Sequence, residues 1–402
     1  MQFIPYADAL KIIGDHPFQP TVKHLPIDQC MHLVLAEDLI ADRDFPPFDR
    51  VTMDGIALRY AAFEAGQRTF KIEAVAPAGT PRTTLAADEG CIEIMTGAML
   101  PEGADTVIRY EDLEIKDGHA TVTIDALNHR QNVHFQGMDR KSGSVIVPKG
   151  KRLSTTELNI AASVGKAELQ VLVPPKAVIV STGDELVPIT ETPEAHQIRR
   201  SNIYGIQAAL AQWGIESTLL HLPDDKDVMR KQLTEVLQDH KLLVLTGGVS
   251  KGKFDFLPEI LDELGVEKLF HKIQQRPGKP FWFGTRGNDA TVFALPGNPV
   301  SSFMCTQVYM RHWVATSLGI PVRRVIAQLG TPVTFKPSLT YFLECSVSFS
   351  ETGQLVATPV VGNGSGDFAN LVDADGFIIL PPDRTEFAAG EPHPFLFYRE
   401  SL

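Results

Sequence analysis

From Lys176 onward the chain alternates short apolar runs with longer stretches whose apolar residues recur every three or four positions. The runs are Ala177-Val178-Ile179-Val180, Leu242-Leu243-Val244-Leu245 and Val292-Phe293-Ala294-Leu295. Each reads as a strand buried on both faces, because no polar residue interrupts the alternation of sides. Ile203, Ile206, Leu210 and Trp213 fall on one face of a helix that Ser201 or Asn202 can cap and Gly214 stops. Phe256, Ile260, Leu261 and Leu264 mark a second helix, ended by Gly265, and Pro299 opens a third that runs to about Leu318. Strands of this kind alternating with amphipathic helices predict a parallel sheet covered on both faces.

The flanking regions follow other periods. Pro5 to about Ala41 reads as helical, with Ile12, Ile13, Leu33, Val34 and Leu35 as core positions, until Asp44-Phe45-Pro46-Pro47-Phe48-Asp49 interrupts it. From Val51 to about Val147, β-branched runs at Lys71–Val75, Cys91–Met95, Thr106–Tyr110 and Thr121–Ile124 are separated by Gly, Pro and Asp clusters. They predict a small β domain of barrel or sandwich type. Leu153 to Val164 reads as one helix, with Ser154 and Glu157 spaced as a capping box. After Pro321, strands are predicted at Tyr341–Phe349, Leu355–Val361 and Gly376–Leu380. The predicted architecture is α/β and multi-domain: a parallel α/β domain, two small β domains and a helical N-terminal segment. The expected boundaries are 1–45 with about 140–175 as a discontinuous helical or linker domain, 46–139, 176–320 and 321–402.

Composition narrows the class. With 402 residues, 44% hydrophobic and 21% charged, the chain has the profile of a globular protein of several domains. No apolar run reaches the length of a membrane span, and Met1 to Leu10 lacks a basic region followed by an apolar one, so neither a membrane segment nor a secretory signal is expected. Cys30, Cys91, Cys305 and Cys345 stand singly, which points to reduced thiols and a cytoplasmic setting rather than a zinc site or disulfides. A formal net charge of -12 disfavours nucleic acid as a partner but leaves room for a small anion in a locally cationic cleft.

Ligands of parallel α/β sheets bind beyond the carboxyl ends of the strands. Three loops fall there: Ser181-Thr182-Gly183-Asp184-Glu185-Leu186, Thr246-Gly247-Gly248-Val249-Ser250-Lys251-Gly252 leading to Asp255, and Leu295-Pro296-Gly297-Asn298-Pro299. A single glycine-rich loop usually just turns the chain. Three that share a direction, two of them carrying carboxylates, point to a phosphate- and metal-binding cleft, with Thr182, Gly183, Asp184, Asn202, Gly247, Gly248, Ser250, Pro296, Gly297 and Asn298 as its lining. Asp184, Glu185, Asp224, Asp225 and Asp255 are the candidate carboxylates for a hard cation such as Mg²⁺, although surface loops commonly contain aspartate without function. Arg276-Pro277-Gly278-Lys279-Pro280 holds two cations on a stiff turn, suited to an oxyanion.

Together these segments resemble one family. Thr52-Met53-Asp54-Gly55-Ile56-Ala57, Met95-Thr96-Gly97-Ala98 with Pro101-Glu102-Gly103-Ala104-Asp105, the three loops, Pro277-Gly278-Lys279-Pro280-Phe281 and Leu295 to Ser301 match, in order, the motifs of the molybdopterin molybdenumtransferases, the bacterial MoeA type similar to the E domain of gephyrin. Matches are dense from about Phe45 to Phe303 and sparser beyond, where Gly364-Ser365-Gly366-Asp367 and Ala374-Asp375-Gly376 still fit. The resemblance implies an elongated, dimerising subunit with its cleft near the subunit interface. It implies adenylylated molybdopterin and molybdate as substrates, AMP as a product, Mg²⁺ as cofactor, and contact with the pterin adenylyltransferase or with molybdoenzymes. The catalytic positions it implies are Asp54, Asp139, Asp224, Asp255, Thr96 and Glu185, with Asp255, Asp224 and Glu185 as Mg²⁺ ligands and Arg276, Lys279 and Ser365 at the molybdate.

The chain also departs from the pattern. Asn132 to Asp139 keeps the aspartate but lacks the family's arginines and glutamate, Arg276 stands where a lysine is usual, and an oxyanion-holding arginine is replaced near Glu344-Cys345. Three other readings stay open: the pterin adenylyltransferase of the preceding step, which the extra β domains oppose; a degenerate paralogue acting as a pterin-binding or scaffold protein; and a tungstate-preferring version of the same enzyme.

Overall fold

The computed structural model describes residues 3–248, 256–360, 362, 364 and 366–399. The chain divides into two compact units, one formed by Met1–Ala36, Gly150–Ser154 and Leu169–Leu402, the other by Glu37–Lys149 and Thr155–Glu168.

The second unit is built on a six-stranded mixed sheet, in the spatial order Thr106–Arg109, Gly55–Leu58, Gly90–Ile94, Thr69–Ala76, His119–Val122 and Leu113–Lys116. Instead of the expected barrel or sandwich there is one sheet with an apolar cluster on each face. Ala57, Ile92, Ile94 and Val107 pack on one side, and Ile56, Leu58, Cys91 and Ile108 on the other, as the strand's two-residue period requires. The helix read at Leu153–Val164 is present as Thr155–Ser163.

In the first unit the strands are β1 (Ala177–Thr182), β2 (Ser217–Leu222), β3 (Leu242–Thr246), β4 (Glu267–His271), β5 (Trp282–Arg286) and β6 (Ala290–Leu295). They lie in the order β2-β1-β3-β6-β5-β4. The first four in that order are parallel, but β5 and β4 run antiparallel, which corrects the all-parallel expectation. The reason is local: only Gly287-Asn288-Asp289 separates β5 from β6, and a parallel crossover needs about a dozen residues. Burial on both faces is as expected. Ile179, Val244 and Phe293 enter one core, while Val178, Val180, Leu243, Leu245 and Val292 enter the other. Helices α1 (Asn202–Gln212), α2 (Lys226–Asp239), α3 (Leu257–Glu263) and α4 (Pro299–Cys305, continued by helical residues to Ser317) supply the covering layers.

The helical reading of Pro5–Ala41 is overturned for all but Tyr6–Gly14. Pro17 and Pro20 end the helix, Thr21–Pro26 is a strand, and Val34–Leu35 pairs with Val171 and Leu172. Ile13, Val34 and Leu35 are fully buried as expected, so burial was read correctly and conformation was not. The C-terminal strands are β7 (Val325–Leu329), β8 (Thr340–Phe349), β9 (Leu355–Pro359), β10 (Gly376–Leu380) and β11 (Pro392–Phe397). They pair in the order β8-β9-β7-β11-β10, and β10 returns to β8, closing a small barrel without free edges.

Candidate functional site

At the carboxyl edge of the α/β sheet, the loops after β1, β3 and β6 converge. Asn202, the first residue of α1, donates from Nδ2 to the Gly297 carbonyl at 2.7 Å and to Thr246 Oγ1 at 3.2 Å, so one amide ties two of the loops together. Gly247 has φ +96, and a Cβ there would lie 3.0 Å from Thr182 Oγ1. The third loop is thus within contact distance, and no larger residue fits. Thr182, Gly183, Asp184, Asn202, Gly247, Gly248, Pro296, Gly297 and Asn298 all sit at this edge, as the three-loop argument required. Ser250 and Asp255 lie outside the described residues.

The carboxylates at this edge come from two neighbouring strand ends. Asp184 Oδ1 accepts from the Asp224 backbone N–H at 3.1 Å, which links the loops after β1 and β2. Glu185 folds its carboxylate back over Gly183. Asp225 is occupied otherwise: it caps α2, accepting at 2.9 Å from the N–H groups of Asp227 and Val228, so it drops out of the candidate metal set. His221, on the unpredicted strand β2, is a member that sequence reasoning missed. Its Nδ1 lies 3.1 Å from Ser181 Oγ, and burial and the nearby Arg200 push its pKa below the usual imidazole value against the pull of Ser181, Asp184 and Asp224.

The Arg276–Lys279 turn opens on a cleft of about 890 Å³ shared with the C-terminal barrel. Asn298 and Ser301, at the start of α4, line the same cleft and connect it to the sheet edge. Gln275–Arg276 is itself a short strand, paired in parallel with Thr340 and Tyr341 of β8. The turn is held from below by a fully buried Gln275, whose Nε2 donates to the Gly278 carbonyl at 2.9 Å and whose Oε1 accepts from the Tyr309 hydroxyl. Gly278 has φ +78, and a Cβ would meet Cys305 Sγ at 2.8 Å. Arg276 and Lys279 are exposed, with the guanidinium 5.8 Å from the Phe335 ring centre and Nζ 5.2 Å from that of Phe3. The Glu344 carboxyl is in this cleft, pushed up from its ordinary value mainly by burial, with Arg276 opposing and Asp367 adding to the shift. Ser365 lies outside the described residues.

The other unit holds Asp54, Thr96 and Asp139. Asp54 Oδ1 accepts from both the backbone N–H and the hydroxyl of Thr96, each at 2.6 Å, and these bonds hold its carboxyl below the usual range. Nearby, the Tyr110 hydroxyl donates to Glu93 at 2.6 Å. Arg50 pairs in β-register with His134 and donates to its Nδ1 at 3.2 Å. A guanidinium cannot accept, so the imidazole proton is on Nε2, from which it donates to Asp139 Oδ1 at 3.0 Å. His134 therefore stands between Arg50 and the aspartate, in the stretch where the family pattern expected arginines.

Family models match in chain order: the MoeA N-terminal region (domain I and II) over residues 4–165, a probable molybdopterin binding domain over 178–316, and the MoeA C-terminal region (domain IV) over 327–397. A molybdopterin molybdenumtransferase of Synechocystis is 41% identical, over 98% of this chain and 99% of its own length. The Bacillus subtilis protein of that name is 30% identical, over 99% of this chain and 94% of its own. A solved MoeA protein from Pyrococcus horikoshii superposes with a TM-score of 0.83 at 26% identity, covering 99% of this chain and 100% of that one. The chain belongs to the molybdopterin molybdenumtransferase family, transferases of molybdenum-cofactor biosynthesis.

Proposed function

We propose that the protein transfers molybdenum from molybdate to the dithiolene of adenylylated molybdopterin and releases AMP, with Mg²⁺ assisting. The observation that carries this reading is continuity: the sheet-edge loops that can cradle phosphates run through Asn298 directly into the cleft that presents Arg276 and Lys279. Backbone N–H groups of the glycine loops suit the phosphoanhydride, and the two cations suit a tetrahedral dianion.

The donor set at the sheet edge fits Mg²⁺. Asp184, Glu185 and Asp224 offer hard carboxylate oxygens from adjacent strand ends, and the four cysteines are all buried elsewhere. Among the described residues no group of three His, Cys, Asp or Glu converges as a dedicated cage. That agrees with the habit of Mg²⁺, which takes one or two protein carboxylates and completes its shell with water and phosphate oxygens. Asp224 and Glu185 are the residues we assign to it, together with Asp255. Bound there, Mg²⁺ would supply charge neutralisation of the phosphoanhydride. We assign Asp54, Thr96 and Asp139 to the same reaction as ordered polar groups, and Ser365 to the oxyanion.

The protein is further proposed to be a homodimer, which light scattering across micromolar concentrations tests; a monomer throughout would remove that claim. Among the described residues no helix is long and apolar enough to cross a membrane. The decisive experiment is AMP release from adenylylated molybdopterin with and without molybdate in Mg²⁺. Molybdate-dependent release is the expected result; turnover of free molybdopterin with ATP instead would favour the adenylyltransferase reading, and no turnover of either the scaffold reading.

A further inference from the structure

Glu344 is an unusual neighbour for an oxyanion. It lies on β8, opposite Phe377 of β10, and half-buried in the cleft that Arg276 and Lys279 line. The groups that face it come from each element packed around it. Arg276 comes from the short strand beside β8, Tyr341 and Cys345 from β8 itself, Asp367 from the segment after β9, and Tyr398 from the end of β11. Among the described residues the cleft thus sets two cations against two carboxyl groups. With both carboxyls ionised its formal charge is nil, and an entering dianion would meet Glu344 as a like charge in a partly desolvated space.

We propose that Glu344 is the specificity-determining group of this cleft, taking up a proton from solvent as a tetrahedral dianion binds and donating that O–H to an oxyanion oxygen. The proton goes to a carboxylate oxygen and no bond of the oxyanion is broken. Burial and Asp367 already bias the carboxyl toward its protonated form, and a bound dianion extends the bias. Arg276, relieved of an anionic neighbour, then directs its charge at the ligand. This inference rests on the oxyanion reading of the Arg276–Lys279 turn.

The test is calorimetric titration of the intact protein with sodium molybdate in two buffers of different ionisation enthalpy, repeated across pH. We expect uptake of about one proton per molybdate, and an affinity that falls about tenfold per pH unit above the titration of the free carboxyl. Glu344→Gln should bind with no uptake and a flat pH profile, while Asp367→Asn should keep the uptake. The wild-type measurement stands even where a variant misfolds. Binding without proton uptake, or uptake that survives Glu344→Gln, overturns the inference alone. Absence of molybdate binding at every pH removes the oxyanion site and the inference with it.

Discussion

Asp54 and Glu344 are both carboxyls assigned to the reaction, and their surroundings treat them in opposite ways. Asp54 is exposed yet receives two 2.6 Å hydrogen bonds from Thr96, which favour the anion. Glu344 is half-buried and receives only its own backbone N–H, so burial dominates and favours the neutral acid. Donor supply thus separates a carboxyl built to stay charged from one built to change charge.

The harshest test of this contrast is Asp54→Asn. The amide keeps an oxygen for Thr96 but loses the charge. Single-turnover AMP release is expected to fall by about 10²-fold or more, while a thermal melt stays near wild type because the side chain is exposed. A folded variant that turns over at the wild-type rate would reduce the Asp54–Thr96 pair to a structural turn.

Lys279→Ala comes next. A lost charge-assisted contact is worth roughly 1.5–3 kcal/mol, so molybdate binding should weaken about 10- to 100-fold, with a smaller change for the pterin. Equal losses for both ligands would detach Lys279 from the oxyanion and leave Glu344 facing nothing that calls for a proton.

What the sequence disclosed follows from which physics is local. The strands β1, β3 and β6 were legible because burial on both faces leaves an uninterrupted apolar run, and the three loops followed from strand direction alone. β2 was not legible. Its Ser217-Thr218-Leu219-Leu220-His221-Leu222 carries polar residues at an edge of the sheet, and His221 was lost with it. β4 and β5 escaped for lack of a long apolar run, though Gly287-Asn288-Asp289 was a usable turn signal. The Thr96 bonds to Asp54 and the Gln275 support under the cationic turn join residues distant in sequence, and no pattern reports such pairs. The Glu344 position was noticed only as a missing arginine; its burial, which gives it a role, required the barrel.

That hidden support yields a smaller effect. Tyr309→Phe leaves the buried Gln275 Oε1 without its donor. The expected cost is about 1–3 kcal/mol of stability, read as a lowered melting temperature. A modest loss of molybdate affinity should accompany it as the Arg276–Lys279 turn loosens. A destabilised variant with unchanged affinity would show that the prolines alone hold the turn.

The smallest effect bears most directly on the comparison. In the folded chain burial raises the Glu344 carboxyl above its unfolded value, so the native state holds this proton to higher pH than the unfolded state does. Stability attached to it is therefore present at low pH and lost as pH rises through the folded titration. Glu344→Gln removes the ionisation while keeping the shape. The variant should match wild type near about pH 4 and exceed it near about pH 8, by about 1–2 °C in Tm. Other groups titrate over this range in both proteins, so the difference between the two melting curves isolates Glu344. If the variant is instead the less stable of the two at alkaline pH, Arg276 holds the carboxylate as an ion pair that outweighs its burial. Glu344 would then be a fixed anion like Asp54, and the distinction between the two carboxyls would collapse.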